Sequence, residues 1–223
     1  MTGQSKREQN RAERRSTILN AALKVFSEQG FTATTMDHVA QVAGLSKPTV
    51  YSYFDGKDAL FRAMLLMPRD DMLIAFHSAR AGNHVDQLWT FAWIYAETVL
   101  RPDLLSLARL IIAEAQRFPE IGRVYQASGP GKVLAGLIKF MEATRSTGAL
   151  NFEDAELCAQ DFWGLILSAP RNKALHDPDA IPTGEELARY IRNGMQVFLK
   201  AYSTQPDQDL AHLAQLKDEP CNS

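Results

Sequence analysis

The 223-residue sequence predicts an all-α fold. Apolar residues recur three and four positions apart along most of the chain, which is the spacing that gives a helix one apolar face. Glycine and proline residues separate these stretches, and no stretch of useful length alternates polar and apolar residues as a strand does. The composition, 46% hydrophobic and 22% charged, is that of an ordinary globular protein.

The first four predicted helices are short and well delimited. Ser16 is expected to cap the first, which ends at Gly30, and Ser46 is expected to cap the third. Thr34 and Thr35 offer caps for the second, and Pro68 stops the fourth. These helices are predicted at 16–29, 36–43, 47–54 and 57–67.

The remainder of the chain predicts longer and more apolar helices. They are expected at about 69–81, 85–100, 103–117, 119–128, 131–146, 153–174 and 184–203. Pro170 should kink the helix at 153–174 or end it early, because proline lacks the amide hydrogen that a helix interior uses. Leu210, Leu213 and Leu216 indicate either a short docking helix or a frayed tail.

The charge is distributed unevenly along the chain. Residues 1–66 hold nine basic and six acidic side chains, whereas the rest holds 15 basic and 20 acidic ones, giving +3 and −5. A basic head on an acidic body favours a polyanionic partner at one end. The chain starts with polar residues, has no apolar run of about 20 residues, and contains only two cysteines, Cys158 and Cys221. These features predict a cytoplasmic protein without a membrane segment.

No pattern in the sequence indicates catalysis or metal binding. The five histidines have no metal-ligand spacing, and neither cysteine belongs to a nucleophile signature. The segment Gly129-Pro130-Gly131 lacks the strand and the Lys-Ser/Thr pair of a phosphate-binding loop. Cys158 is expected to be a packed thiol rather than a redox switch. The sequence therefore predicts a protein that is not an enzyme and has no cofactor or metal.

Two short helices joined at Gly44-Leu45 have the layout of a helix-turn-helix, whose second helix can enter the DNA major groove. At about 100° per residue, Val50 and Phe54 point together into a core, and the opposite face is small and polar. Lys47 is its only cationic side chain, and Lys57 opens the next helix, where a phosphate is favoured.

The stretch from Phe31 to Phe61 closely resembles the DNA-binding region of TetR-type transcriptional regulators. The resemblance implies a three-helix DNA-binding domain of about 1–60 with recognition-helix residues Lys47, Pro48, Thr49, Tyr51, Ser52 and Tyr53 and phosphate-contacting residues Thr34, Thr35 and Lys57. Pro48 and Tyr53 depart from the residues that many members carry, which bears on base preference. The arm Lys6–Arg15 is either a disordered leader or a segment that contacts phosphates or the minor groove.

The segment Glu114–Glu120, with Gly129-Pro130, resembles the C-terminal domain of a subgroup that includes efflux-pump repressors. This implies a ligand-binding and dimerising domain of about 61–223 and a small effector that is apolar or aromatic. Each aromatic residue there suits a helical core as well as a pocket wall. The candidate ligand residues are Trp89, Trp93, Glu97, Glu114, Arg117, Phe118, Tyr125, Phe140 and Phe162.

The helices at 153–174 and 184–203 carry recurring apolar positions that, in the family, form a four-helix interface between two subunits. The same pattern would suit two buried helices of a monomer. A homodimer is favoured because one short recognition helix makes too few contacts, and two read a near-palindromic operator. The expected function is a ligand-responsive repressor. The alternatives are an activator, and a helical small-molecule-binding or interaction module without DNA binding.

Overall fold

A computed structural model describes residues 2–65 and 82–219, and these residues are almost entirely helical. An isolated antiparallel bridge joins Leu150 to Ser203, and the described ranges contain no strand. The helices are α1 (Thr2–Ala33), α2 (Met36–Ala43), α3 (Lys47–Tyr51), α4 (Lys57–Leu65), α5 (His84–Val99), α6 (Pro102–Glu114), α7 (Pro119–Ser128), α8 (Pro130–Ser146), α9 (Ala155–His176), α10 (Gly184–Tyr202) and α11 (Pro206–Leu213). The all-α prediction is confirmed, and the helix predicted at 69–81 lies outside the described residues.

The chain divides into two compact units, each with its own apolar core. The first contains Met1–Pro68 and Ser106–Gln126, and the second contains Arg69–Leu105 and Ala127–Ser223. The sequence predicted a second domain that runs from about residue 61 to the end of the chain. In the structure, Ser106–Gln126 packs with the N-terminal helices. Leu107, Leu110 and Ile111 are buried in the core of the first unit, which explains this grouping.

Helix α1 begins at Thr2, so the prediction that Ser16 caps its start is wrong. The preceding segment holds Arg, Glu, Gln and Ala, which are good helix formers, and it contains no proline. The arm at 6–15 is therefore helical rather than a disordered leader. Gly30 interrupts the helical backbone with φ 74° and ψ 171°. Its φ is positive, as expected for a left-handed residue, but its ψ is extended.

Helix α9 continues through Pro170 to His176, so the prediction of an early end is wrong. Pro170 and Ala174 are buried, and this packing outweighs the one backbone hydrogen bond that proline removes. At the end of the chain, α11 shows that a short helix forms. Its residue Leu213 is buried in the core of the second unit.

The C-terminal segment is anchored to the second unit by polar contacts. The indole nitrogen of Trp89 donates to the carbonyl oxygens of Lys217 (3.1 Å) and Glu219 (2.9 Å). Arg192 lies over the Trp89 ring at 4.8 Å and donates to the carbonyl oxygen of Leu213 at 2.9 Å. In the same unit, the imidazole of His84 lies 2.7 Å from a carboxylate oxygen of Asp209. Residues 206–219 therefore complete the core over Trp89.

Helices α9 and α10 cross at Gly194, where a methyl group has no room. A Cβ atom there would lie 2.8 Å from the Leu165 carbonyl oxygen and 2.9 Å from a side-chain carbon of Ile166. We expect Gly194→Ala to force the helices apart and to lower the free energy of unfolding by about 1–3 kcal/mol, measured by chemical denaturation. Gly122→Ala in α7 is the matched control because its Cβ meets nothing within 4 Å, so it should be neutral or stabilising. Equal stability of the two variants would contradict the close crossing.

Cys158 is 1% exposed, and burial raises the pKa of its thiol to about 12. Because only the thiolate reacts with alkylating reagents, we expect alkylation of Cys158 at pH 8 to be about a thousandfold slower than that of an ordinary thiol. The measurement is mass-spectrometric labelling in a Cys221→Ser background, with the unfolded protein as control. Rapid labelling of the native protein would contradict the packed-thiol interpretation.

Candidate nucleic-acid interface

The first helix of the helix-turn-helix, α2, is fixed at both ends by its own caps. The Thr35 side chain accepts a hydrogen bond from the His38 amide at 3.2 Å. Gly44 adopts the left-handed conformation, φ 66°, and its amide donates to the Gln41 carbonyl at 3.1 Å. The Leu45 amide donates to the Ala40 carbonyl at 3.0 Å. This sharp ending turns the chain directly into the second helix.

The second helix, α3, begins as predicted and ends earlier than predicted. The Ser46 hydroxyl oxygen accepts from the Thr49 amide at 3.3 Å, and Pro48 lies in the first turn. The helix ends at Tyr51 rather than at Phe54, because the following residues form a turn. In that turn the Ser52 hydroxyl donates to the Thr49 carbonyl at 2.6 Å.

Burial separates the two faces of α3 as its periodicity predicted. Val50 is fully buried and Phe54 is 6% exposed, both in the core of the first unit. On the opposite side Lys47, Pro48 and Ser52 are exposed. Tyr51 is 44% exposed, a large fraction for an aromatic ring, and Thr49 is half-buried. The exposed face offers hydroxyl groups, one amine and apolar carbons, the groups that contact phosphates and base edges.

Lys47 is paired with Asp37 of α2. Its amine lies 2.8 Å and 3.0 Å from the two carboxylate oxygens, and both side chains are mostly exposed. The hydrogen bond and charge of Asp37 raise the pKa of Lys47. The amine is therefore protonated at neutral pH, and Asp37 competes for it with any other anion. Helical spacing does not indicate this pair, because Asp37 lies ten residues from Lys47 on a different helix.

Tyr53 is half-buried and packs partly on the core of the first unit. The guanidinium of Arg11 lies 5.9 Å from the centre of its ring, and the guanidinium of Arg15 lies 5.5 Å from that of Phe54. These contacts join the N-terminal part of α1 to the turn after α3. Sequence spacing does not indicate these contacts, because they join residues some forty positions apart and depend on the tertiary fold.

Of the three predicted phosphate-contacting residues, Thr34 is the buried one. Its side chain is 1% exposed, and its hydroxyl donates to the Gly30 carbonyl at 2.8 Å, so the hydroxyl is turned inward. Thr35 is exposed beside it. The Lys57 amine donates to the Thr32 carbonyl at 3.1 Å and lies 4.7 Å from the centre of the Phe31 ring. This amine sits at the start of α4, where the orphan amides also favour an anion.

Four predicted ligand residues lie in the first unit: Glu114, Arg117, Phe118 and Tyr125. Phe118 packs edge-on against Phe31 with ring centres 4.9 Å apart, and Arg117 donates to the Thr32 hydroxyl at 3.2 Å. The apolar surface left by Phe31 and its neighbours explains why this segment docks here. Arg62 and Glu120 add an exposed ion pair at 3.0 Å.

The other five predicted ligand residues lie in the second unit. Trp89 and Phe162 are fully buried core residues, Phe140 is half-buried, and Glu97 is exposed. Trp93 is 4% exposed, and no described residue accepts a hydrogen bond from its indole nitrogen. A groove of about 690 Å³ in this unit involves none of the predicted residues. Its lining is Leu134, Gln160, Trp163, Gly164, Leu167, Ser168, Ala169, Arg171 and Asn172.

Family patterns match both parts of the chain. Residues 18–64 match the tetR family of bacterial regulatory proteins, and residues 86–204 match the C-terminal domain of AefR-like transcriptional repressors. The second match alone covers more than half of the chain. Among residues 2–65 and 82–219, no helix is long and apolar enough to cross a bilayer.

Individual proteins agree with these patterns. UidR, a helix-turn-helix transcriptional regulator of Escherichia coli K12, is 36% identical over 70 residues, which are 31% of this chain and 36% of UidR. The matched segment thus spans about a third of that relative. A TetR-family regulator from Mesorhizobium loti is 28% identical, with a TM-score of 0.79 over 86% of this chain and 98% of its own. The flavonoid-responsive regulator FrrA is 29% identical, with a TM-score of 0.68 over 87% and 99%. The chain belongs to the TetR family of helix-turn-helix transcriptional regulators.

Proposed function

We propose that the protein is a ligand-responsive repressor that binds a near-palindromic operator as a homodimer. The observation that carries the proposal is the division of α3 into a buried face and an exposed, acid-free face. Lys47, Pro48, Tyr51 and Ser52 are the exposed residues of this face, with Thr49 at its edge, and we assign them to base and phosphate contacts. Thr35, Lys57 and Tyr53 flank this face, and we assign them to phosphate contacts.

Dimerisation is supported by apolar side chains that α9 and α10 leave exposed. Leu157 and Leu165 on α9 are 58% and 38% exposed, and Val197 on α10 is 42% exposed. Exposed leucine and valine on two adjacent helices are typical of a surface that another subunit covers. Two subunits would place recognition helices in successive major grooves, about 34–36 Å apart.

Repression is the favoured output for two reasons. The C-terminal pattern that the chain matches is that of AefR-like repressors. An operator-bound dimer also occludes polymerase without needing an activating surface. An effector would release the operator only if it binds the non-DNA-binding arrangement more tightly than the DNA-binding one.

An aromatic effector with oxygen acceptors is the ligand class that we propose. The buried Trp93 indole lacks an acceptor among the described residues, and a buried donor without a partner costs about 1–3 kcal/mol. A ligand oxygen would supply one. FrrA, which has the same fold, is responsive to flavonoids, and these are aromatic molecules with carbonyl and hydroxyl oxygens.

DNA binding is tested by fluorescence anisotropy of the full chain on its own upstream DNA and on a random duplex of equal length. We expect two subunits per site and preference for the upstream fragment. Binding without preference, or a strictly monomeric complex, would overturn the operator proposal.

The effector is tested separately by adding quercetin, a flavonoid, to the complex. We expect release of the DNA and a change in tryptophan emission, both weaker in Trp93→Phe. Release that is equally strong in Trp93→Phe would remove Trp93 from the ligand site.

A further inference from the structure

An open groove of about 280 Å³ lies in the first unit, where the N-terminal part of α1 passes the turn after α3. Its lining is Arg7, Asn10, Arg11, Arg14 and Tyr53. We propose that this groove binds phosphate groups of the DNA backbone beside the recognition helix. The proposal rests on the DNA binding described above and adds a site outside the helix-turn-helix, since the matched family pattern begins only at residue 18.

Helix geometry gathers the three arginines on one face. Residues 7, 11 and 14 are four and three positions apart, so their side chains fall within an arc of about 60°. The acidic residues of the same segment, Glu8 and Glu13, point about 90° or more away from the centre of that arc. The segment therefore presents a purely basic strip rather than a mixed one.

The arginines of this strip lack acidic partners. Arg7, Arg11 and Arg14 are exposed, and no carboxylate among the described residues forms an ion pair with them. By contrast, Lys47 and Arg62 of the same unit are each paired with a carboxylate. Like charges three and four residues apart repel each other on a helix, and an anion bound between them would relieve that repulsion.

Contacts to aromatic rings hold the strip against the recognition element. Arg11 lies over the Tyr53 ring and Arg15 over the Phe54 ring, at 5.9 Å and 5.5 Å. Tyr53 and Phe54 follow α3 directly in the chain. These contacts place the N-terminal part of α1, and with it the exposed basic strip, beside the C-terminal end of the recognition helix.

The chemistry of the lining fits a phosphate better than an apolar ligand. Guanidinium groups form two parallel hydrogen bonds to phosphate oxygens, and Asn10 adds a neutral amide donor. The Tyr53 hydroxyl, which no described residue engages, adds another. Phosphates border the major groove on both sides, so groups beside a helix in that groove face the backbone. This site would position the protein on DNA without reading its sequence.

The test is the salt dependence of DNA binding by the full chain, measured between 50 and 200 mM salt on the upstream fragment and on a random duplex. The variant is the triple change Arg7→Gln, Arg11→Gln and Arg14→Gln. Each lost phosphate contact should reduce the slope of log affinity against log salt by about 0.9, so the triple variant should lose roughly 2.7 for each bound subunit, or roughly 5.4 for the dimer. Affinity should fall by the same factor on both DNAs.

Two control variants distinguish the effect of these three arginines from a general effect of positive charge on the slope. Lys24→Gln removes one charge from the same helix about 20 Å from Arg11 and should leave the slope unchanged. The triple change to lysine keeps the charge and should retain most of the slope. Helix content and melting temperature, followed by circular dichroism, should be the same for all variants.

Two outcomes would overturn the site. One is a triple glutamine variant with the wild-type slope, and the other is an affinity loss confined to the upstream fragment. Each of these two outcomes can be observed only if the wild-type protein binds DNA. A wild-type protein that binds neither duplex would instead overturn the DNA-binding function on which the site depends.

Discussion

Leu165→Glu is expected to convert the protein to a monomer and to weaken operator binding at least about a thousandfold. The leucine is 38% exposed on α9 and lies against the α9–α10 crossing, where α10 also exposes Val197. A buried carboxylate on each side of a two-fold interface would be unpaired and would repel its copy. A monomer reads only one of the two half-sites and so keeps only half of the contacts. Specific binding typically exceeds non-specific binding by about 10³ or more, and we expect the monomer to lose this advantage.

The measurement combines sedimentation with a DNA titration. Gln196→Glu is the control, because it introduces the same charge on α10. Gln196 is exposed and lies about 100° around the helix from Val197. It should remain dimeric. A Leu165→Glu protein that still dimerises and binds the operator normally would show that the exposed apolar side chains of α9 and α10 are not the subunit interface.

The pair formed by Lys47 and Asp37 predicts two variants with opposite effects. Lys47→Ala should lower operator affinity about tenfold or more and relax base preference, because it removes the only amine on the exposed face of α3. Asp37→Asn should tighten binding to every duplex. It frees the Lys47 amine from a carboxylate 2.8 Å away and removes a negative charge beside the DNA surface.

Anisotropy titrations on the upstream and random duplexes distinguish these effects, with the double variant as control. In the double variant Asp37→Asn should still remove repulsion but should no longer free an amine, so its gain should be smaller. If Asp37→Asn weakens binding instead, the ion pair holds Lys47 in its binding position, and Asp37 does not compete with DNA for the Lys47 amine.

The helix-turn-helix was the most predictable part of the chain because its limits are set locally. Thr35, Gly44 and Ser46 fix α2 and the start of α3 through caps that any reader of the sequence can recognise. The burial of Val50 and Phe54 followed from helical spacing alone. At Ser16, by contrast, the preceding residues are good helix formers, and the helix continued to Thr2.

Contacts between distant segments were not predictable. Phe118 and Arg117 have the composition of a pocket wall, yet they lie against Phe31 and Thr32, more than 80 positions away. The inward turn of the Thr34 hydroxyl likewise depends on the backbone at Gly30. Spacing along a chain identifies the face of a helix that is buried, but it does not identify the element that buries it.

The anchoring of Trp89 has a practical consequence for shortened forms of the protein. The family pattern ends at residue 204, yet the indole hydrogen bonds and the Arg192 contacts depend on residues 213–219. A protein cut at the end of that pattern would expose a large aromatic surface and leave a guanidinium without its acceptors. Aggregation of such a fragment would reflect this missing cover rather than any failure of the regulatory domain to fold.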